Sequence, residues 1–380
     1  MKCNVIFKRV NYKYMEKLNI TSKRNAGVEV LRFVFAVVIL LGHAFSEFGS
    51  SKTPFGVIRQ GAIGVEFFFV LSGILMAKSV FDNGIHHTNI TVSKATPAFI
   101  AKKYLAVFPT HLITYIIMLG ELIYYNNLDS VQALKKVTFS LPEVFLVHMS
   151  GIKLSIVNQN VWYISAMLFA MLIIYPVLLR YKALFTRVIS PILFLTIFGF
   201  IYQSTGSLTP SSEVVAGGLA LKGTLRAVAE ISLGTTVYEF IVSLNKTELT
   251  VFAKHLIRLV ELSCYVLTIF VSMTTINIKW YFVFVFMLSV GLAITFSKYS
   301  ISAKVPPLKP IVYLGSLSMT VFVCQRAVLY PLSELMLFRS YRFNTLAFFI
   351  GTIALSVFLK CVLDFAENRI KDKSVFVQAK

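Results

Sequence analysis

Apolar residues fall along this chain in long blocks rather than in the alternating or three-to-four-residue stripes of a soluble fold. Windows of about 20 mainly apolar residues, the length a helix needs to cross the hydrocarbon core of a bilayer, occur at 28–47, 61–80, 104–125, 161–180, 187–203, 217–243, 256–275, 279–296, 311–335 and 345–366. The pattern predicts an all-α, polytopic bundle of about ten transmembrane spans. The stretch 138–149 is shorter and carries Pro142 and His148; it reads as a partial or re-entrant segment before the fourth span. Three parts follow: a basic N-terminal tail (1–27), a membrane domain (28–366) and a basic C-terminal tail (367–380).

Composition agrees with the blocks. Charged residues make up 14% of the chain and the hydrophobic types 57%, with a mean hydropathy of +0.75, whereas a soluble domain is roughly 25% charged. The first 27 residues lack the short apolar core of a cleaved signal, so the first span is expected to be retained. Cys3, Cys264, Cys324 and Cys361 fall in the leading tail and in apolar segments without a CxxC pair, which points away from a disulfide framework or a thiolate metal site.

Charge placement predicts orientation. With the N-terminus inside, 24 of the 37 Lys and Arg residues fall in cytoplasmic segments and their flanks, as the positive-inside rule requires. Both termini are then cytoplasmic. The net charge of +20 is accounted for by attraction to anionic lipids of the inner leaflet, and no nucleic-acid partner is called for.

Ionisable residues inside the spans carry the candidate chemistry, because such groups are expensive in a bilayer. Arg32 and His43 are eleven residues apart in the first span, three turns plus about 20° and a rise of roughly 16.5 Å, so they share one helix face. Glu29 is placed to pair with Arg32 at i, i+3. Glu66, in the second span, enters at a depth comparable with His43. A carboxylate facing the imidazole would fix its tautomer and raise its basicity, as a general base requires. Deeper in the same span, Ser72 and Gly73 would admit another helix or a narrow chain close to the backbone. Arg226 and Glu230, at i, i+4 in the sixth span, read as an intramembrane ion pair, and His111 as a structural polar residue.

The stretches GVEVLRFVFAVVILLGH (27–43), with its basic-x10-His pattern, GVEFFFVLSG (64–73) and VWYISAMLFAMLIIYP (161–176) resemble acyltransferase family 3, the bacterial integral-membrane enzymes that acylate saccharides. AFIAKKYLAVFP, LRAVAEISLG and LGSLSMTVFVCQ add weaker matches, and the resemblance spans about residues 24–335. It implies transfer of an acyl group, normally acetyl, from cytoplasmic acyl-CoA to a saccharide hydroxyl, in the bacterial cytoplasmic membrane and with no permanently bound cofactor. His43 matches the family histidine proposed as catalytic, Arg32 its basic partner, Glu66 the acidic position of the second helix and Lys103 the first position of an Arg-x-x-Arg element. The second basic position falls on Ala106. Near the tenth span, where the family often has a histidine, this chain has Gln325.

The phosphates of an acyl-CoA attract Lys and Arg, so Lys102, Lys103 and Arg32 form the expected donor cradle. Trp162 and Tyr163, next to Asn158, Gln159 and Asn160, are expected on the acceptor side together with Gln325 and Arg326. The acceptor is a free or lipid-linked saccharide, and membrane lipids surround the whole. The rival from another class is a transporter or flippase of a lipid-linked saccharide, in which the same charges would line a path; the chain has no visible inverted repeat or paired interrupted helices.

Overall fold

The computed structural model describes residues 24–48, 61, 63–82, 91–152, 155–274, 281–335 and 340–378, without the side chains of 281 and 370–378. Cys3, the basic tail to residue 23, Lys52, Arg59, His86, His87, Lys153, Lys279 and Arg339 lie outside the described residues. The helices are α1 (Ala26–Phe48), α2 (Ile63–Asp82), α3 (Val92–Tyr125), α4 (Ser130–Val144), α5 (Trp162–Arg180), α6 (Ser190–Thr205), α7 (Lys222–Lys246), α8 (Val251–Ser272), α9 (Tyr281–Thr295), α10 (Lys309–Leu335) and α11 (Tyr341–Gln378). Among the described residues nine helical segments are long and apolar enough to cross a membrane, and Phe282–Thr295 is a shorter apolar helix. The expected polytopic helical bundle is the observed fold.

Boundaries differ where polar residues sit inside helices. The third span extends back to Val92 and takes in Lys94, Lys102, Lys103, Pro97 and Pro109; at 34 residues it is about 51 Å long, well beyond the bilayer core. The eighth is a 15-residue helix, about 22 Å. The last helix runs on to Gln378, so the expected C-terminal tail continues it. The stretch read as re-entrant is the end of α4, which a capping box of Asp129 and Gln132 starts, followed by a 3-10 turn at His148–Ser150.

Five helices make the centre. α1 packs on α10 and α2, α2 on α7, and α7 on α5. α2 buries 72% of its most apolar window and α11 only 22%, so α2 is central and α11 offers its apolar side to lipid. Asn25 caps α1, its Oδ1 accepting from Val28 N at 3.2 Å, and Phe35 stacks on Phe67 at 4.3 Å to join α1 to α2. Gly73 and Gly234 let α2 and α7 touch at the backbone: a Cβ on Gly73 would strike the Ile231 carbonyl, and one on Gly234 the Val70 carbonyl. Small residues at such a crossing replace the absent hydrophobic drive between helices in lipid.

Two loops close the bundle at the His43 end, and buried charges hold both. Glu143 is fully buried and accepts backbone N–H bonds from Val157 and, at 2.7 Å, from Asn158. Its carbonyl is 3.0 Å from His111 Nε2, which gives His111 the structural role expected. Asn158 Nδ2 donates to the Val323 carbonyl of α10 at 3.0 Å. The loop 206–221 contains the short hairpin Val214–Val215 and Ala220–Leu221. Lys222, also fully buried, donates to the Ser207 and Thr209 carbonyls at 3.0 and 3.2 Å and pairs with Glu213.

Two outcomes test this packing. Gly73→Ala should lower stability by about 3 kcal/mol through overpacking, while Gly120→Ala, whose Cβ meets nothing within 4 Å, should be neutral or slightly stabilising; thermal midpoints of the detergent-solubilised protein decide. Burial pushes the Glu143 carboxyl up from 4.5 to about 7, against the pull of the two backbone N–H groups and Lys136. Between pH 4.5 and 7 the folded protein therefore holds the proton the unfolded chain has lost, and stability falls as pH rises through that window. Glu143→Gln should flatten this part of the midpoint-against-pH curve relative to the native protein.

Candidate active site

Arg32 and His43, on one face of α1, open into two different cavities. The cavity at the Arg32 end holds about 380 Å³ and is lined by Arg24, Arg32 and Lys103, by Ala106, and by apolar residues including Met167 and Met319. The one at the His43 end holds about 280 Å³ and is lined by His43 with Ser46, Asn160, Trp162, Thr209 and Ser211 among others. Phe322 of α10 lines both.

At the Arg32 end, Glu29 lies 3.2 Å from Arg32, the i, i+3 pair expected, and 3.8 Å from Arg24. Two cations thus share one carboxylate, and with Lys103 the cavity keeps a net positive lining. Lys103 sits 5.5 Å above the Phe99 ring. Lys102, one position earlier on α3, is not among the residues that line the cavity.

At the His43 end the partner of the imidazole differs from the one expected. His43 Nδ1 is 3.0 Å from Gln325 Oε1, and Gln325 Nε2 donates to the Phe322 carbonyl at 2.9 Å. A carbonyl oxygen can only accept, so the amide must turn its NH2 to Phe322 and its oxygen to the ring. Nδ1 then carries the proton, and Nε2 keeps its lone pair.

Glu66, fully buried, does not face His43. Its Oε1 accepts from Arg226 Nη2. Arg226 also donates to the Leu208 carbonyl at 3.1 Å and lies 5.4 Å from the centre of the Trp162 ring. The Arg226–Glu230 pair foreseen at i, i+4 is present at 4.0 Å, longer than the bond to Glu66. The reason is physical: a permanently charged, buried guanidinium has no neutral form to retreat to, so it captures the nearest carboxylate ahead of an imidazole.

The expected acceptor set divides. Trp162 lines the His43 cavity. Tyr163, the next residue, turns instead to the Arg32 cavity, its ring packed on Phe322 at 5.3 Å and Phe69 at 4.7 Å. Gln325 stands behind His43. Arg326 donates to Gln159 Oε1 at 2.9 Å and lines neither cavity. Sequence reading missed Thr209 and Ser211, whose loop carries no motif, and Phe322, one apolar residue among many. Asn160 was visible only as one of three amides beside Trp162; it is buried, and its Nδ2 has no hydrogen-bond partner.

The arrangement offers a base with a free lone pair in a hydroxyl-lined cavity, next to a cationic cavity suited to phosphates. No curated protein matches the chain, and no solved structure does. The family model of the acyltransferase domain matches residues 25–364, nearly the whole chain. The chain belongs to acyltransferase family 3, and it is a multi-pass membrane acyltransferase.

Proposed function

We propose that this acyltransferase moves an acyl group, acetyl in the first instance, from acyl-CoA to a hydroxyl of a cell-surface or exported saccharide, free or lipid-linked. The membrane is the bacterial cytoplasmic membrane, with both chain termini and the Arg32 cavity on the cytoplasmic side. The observation that carries this reading is the pair of cavities on the Arg32–His43 face, one lined by cations and one by hydroxyls, an amide and the histidine. Arg24, Arg32 and Lys103 would hold the nucleotide phosphates, and the pantetheine arm would run along α1 towards His43.

His43 Nε2 takes the proton of the saccharide hydroxyl as its oxygen attacks the thioester carbonyl. The tetrahedral intermediate collapses, the C–S bond breaks, and the thiolate of CoA recovers the proton from His43. The products are the saccharide ester and CoA-SH. Gln325 holds the tautomer this needs, and being neutral it orients the ring without neutralising the imidazolium that forms in transit. Glu66 acts at a distance, through Arg226 and the wall of the cavity.

The experiment that tests the reading is mass spectrometry and NMR of cell-envelope glycans from cells with the intact gene, a deletion and His43→Ala at matched protein levels. An O-acyl group lost in both altered strains is the expected result. Unchanged acylation, with lipid-linked saccharide accumulating inside, would favour the transporter instead. In the purified protein His43→Ala should cost on the order of 10³-fold in kcat, within the range of general acid–base catalysis. Gln325→Ala should cost on the order of 10-fold in kcat with the donor KM unchanged, whereas an equal rise in donor KM would place Gln325 on the donor path.

A further inference from the structure

Among the described residues, Phe322 is the one common to the linings of the two cavities. Its side chain is 5% exposed, and its ring meets Tyr163 edge-on at 5.3 Å. Tyr163 in turn meets Phe68 at 6.1 Å. Three rings from α2, α5 and α10 therefore stand together where one cavity gives way to the other. Both linings are mixed: Leu71, Leu75, Met167, Met171 and Met319 stand beside the cations on the Arg32 side, and Ser46, Asn160, Thr209 and Ser211 beside Ile39 and Val65 on the His43 side. The backbone of Phe322 is bound to the same apparatus, since its carbonyl accepts the amide that orients His43.

We propose that Phe322 is a specificity-determining residue that limits the length of the acyl group, and this rests on the acyl-CoA reading above. For the thioester carbonyl to reach a hydroxyl at His43, it must come to the plane of these rings. The acyl substituent then has two places to go. Ahead lies the smaller cavity, of about 280 Å³, which the acceptor must share. Behind lies the larger cavity, in which Leu71, Leu75 and the methionines form an apolar wall beside the cations, and a chain folding back towards that wall beside the pantetheine arm runs into the Phe322 and Tyr163 rings. A two-carbon group needs neither space, but each added methylene needs one of them. Removing the Phe322 ring opens the route back, and the thioether side chains of Met167, Met171 and Met319 can adjust around what enters.

The test is a series of donors, acetyl-, propionyl-, butyryl- and hexanoyl-CoA, presented to the purified full-length protein with the acceptor found from the glycan comparison. The readout is kcat/KM for each longer donor relative to acetyl-CoA. The native protein should favour acetyl, and Phe322→Ala should raise the butyryl-to-acetyl ratio on the order of 10-fold or more, the scale at which apolar pockets discriminate methylenes. Phe322→Leu, which keeps an apolar side chain against Tyr163, should shift the ratio in the same direction by less, and it carries the test if the alanine variant does not fold. An unchanged ratio in a variant that still transfers acetyl would overturn the role of Phe322 and leave acyl transfer standing. A native protein that uses none of the four donors, with the glycan unaltered in the deletion strain, would overturn the acyl-CoA reading itself.

Discussion

The buried pair of Arg226 and Glu66 is the interaction on which the site depends. It joins α7 to α2 about two helical turns from the point where Gly73 and Gly234 bring the two backbones into contact. The same guanidinium reaches the Leu208 carbonyl and covers Trp162, so one cation braces the loop 206–221, the first turn of α5 and the second helix. These are the walls of the His43 cavity. Breaking a buried pair by removing one partner is far more damaging than its net worth suggests, typically 3–5 kcal/mol, because the other charge is stranded. Glu66 thus bears on the His43 cavity through Arg226 rather than through the imidazole.

Much of the fold was legible because the bilayer enforces a length: ten apolar windows yield nine long helical segments and a short one. The face shared by Arg32 and His43 was legible for a similar reason, since the helical period is local and needs no knowledge of neighbours. Partners across the bundle were not. Gln325 lies 282 positions from His43 and Arg226 160 from Glu66, and periodicity says nothing of which faces meet. Depth alone made Glu66 look like the partner of His43, and the charge of Arg226 decided otherwise. Trp162 and Tyr163 make the same point at short range: adjacent residues on a helix point about 100° apart, and here that angle puts them in different cavities.

Replacing a carboxylate by Gln325 behind the imidazole has a chemical meaning. An acid would hold the ring by charge and keep it protonated once it had taken a proton, whereas an amide selects the tautomer by geometry alone. On the proposed mechanism, in which the base returns its proton to a departing thiolate within the same turnover, a neutral neighbour serves it better. The amide is in turn fixed by the Phe322 carbonyl, so the backbone of α10 sets the ring orientation and the side chain of the same residue divides the cavities.

Charge runs unevenly along this seam. At one end Arg24 and Arg32 share Glu29, and Lys103 joins them in the cavity lining; at the other, among the described lining residues, the cation is Arg226, bound to Glu66 with Glu230 at 4.0 Å. On the proposed reading a polyanionic donor is held at the Arg32 end, and only its uncharged, acyl-bearing end would advance towards His43. Ala106 fits this arrangement. It lines the cationic cavity at the position where the resemblance to the family leads one to expect a second basic residue, so on the proposed reading the cavity has one charge fewer to hold a nucleotide.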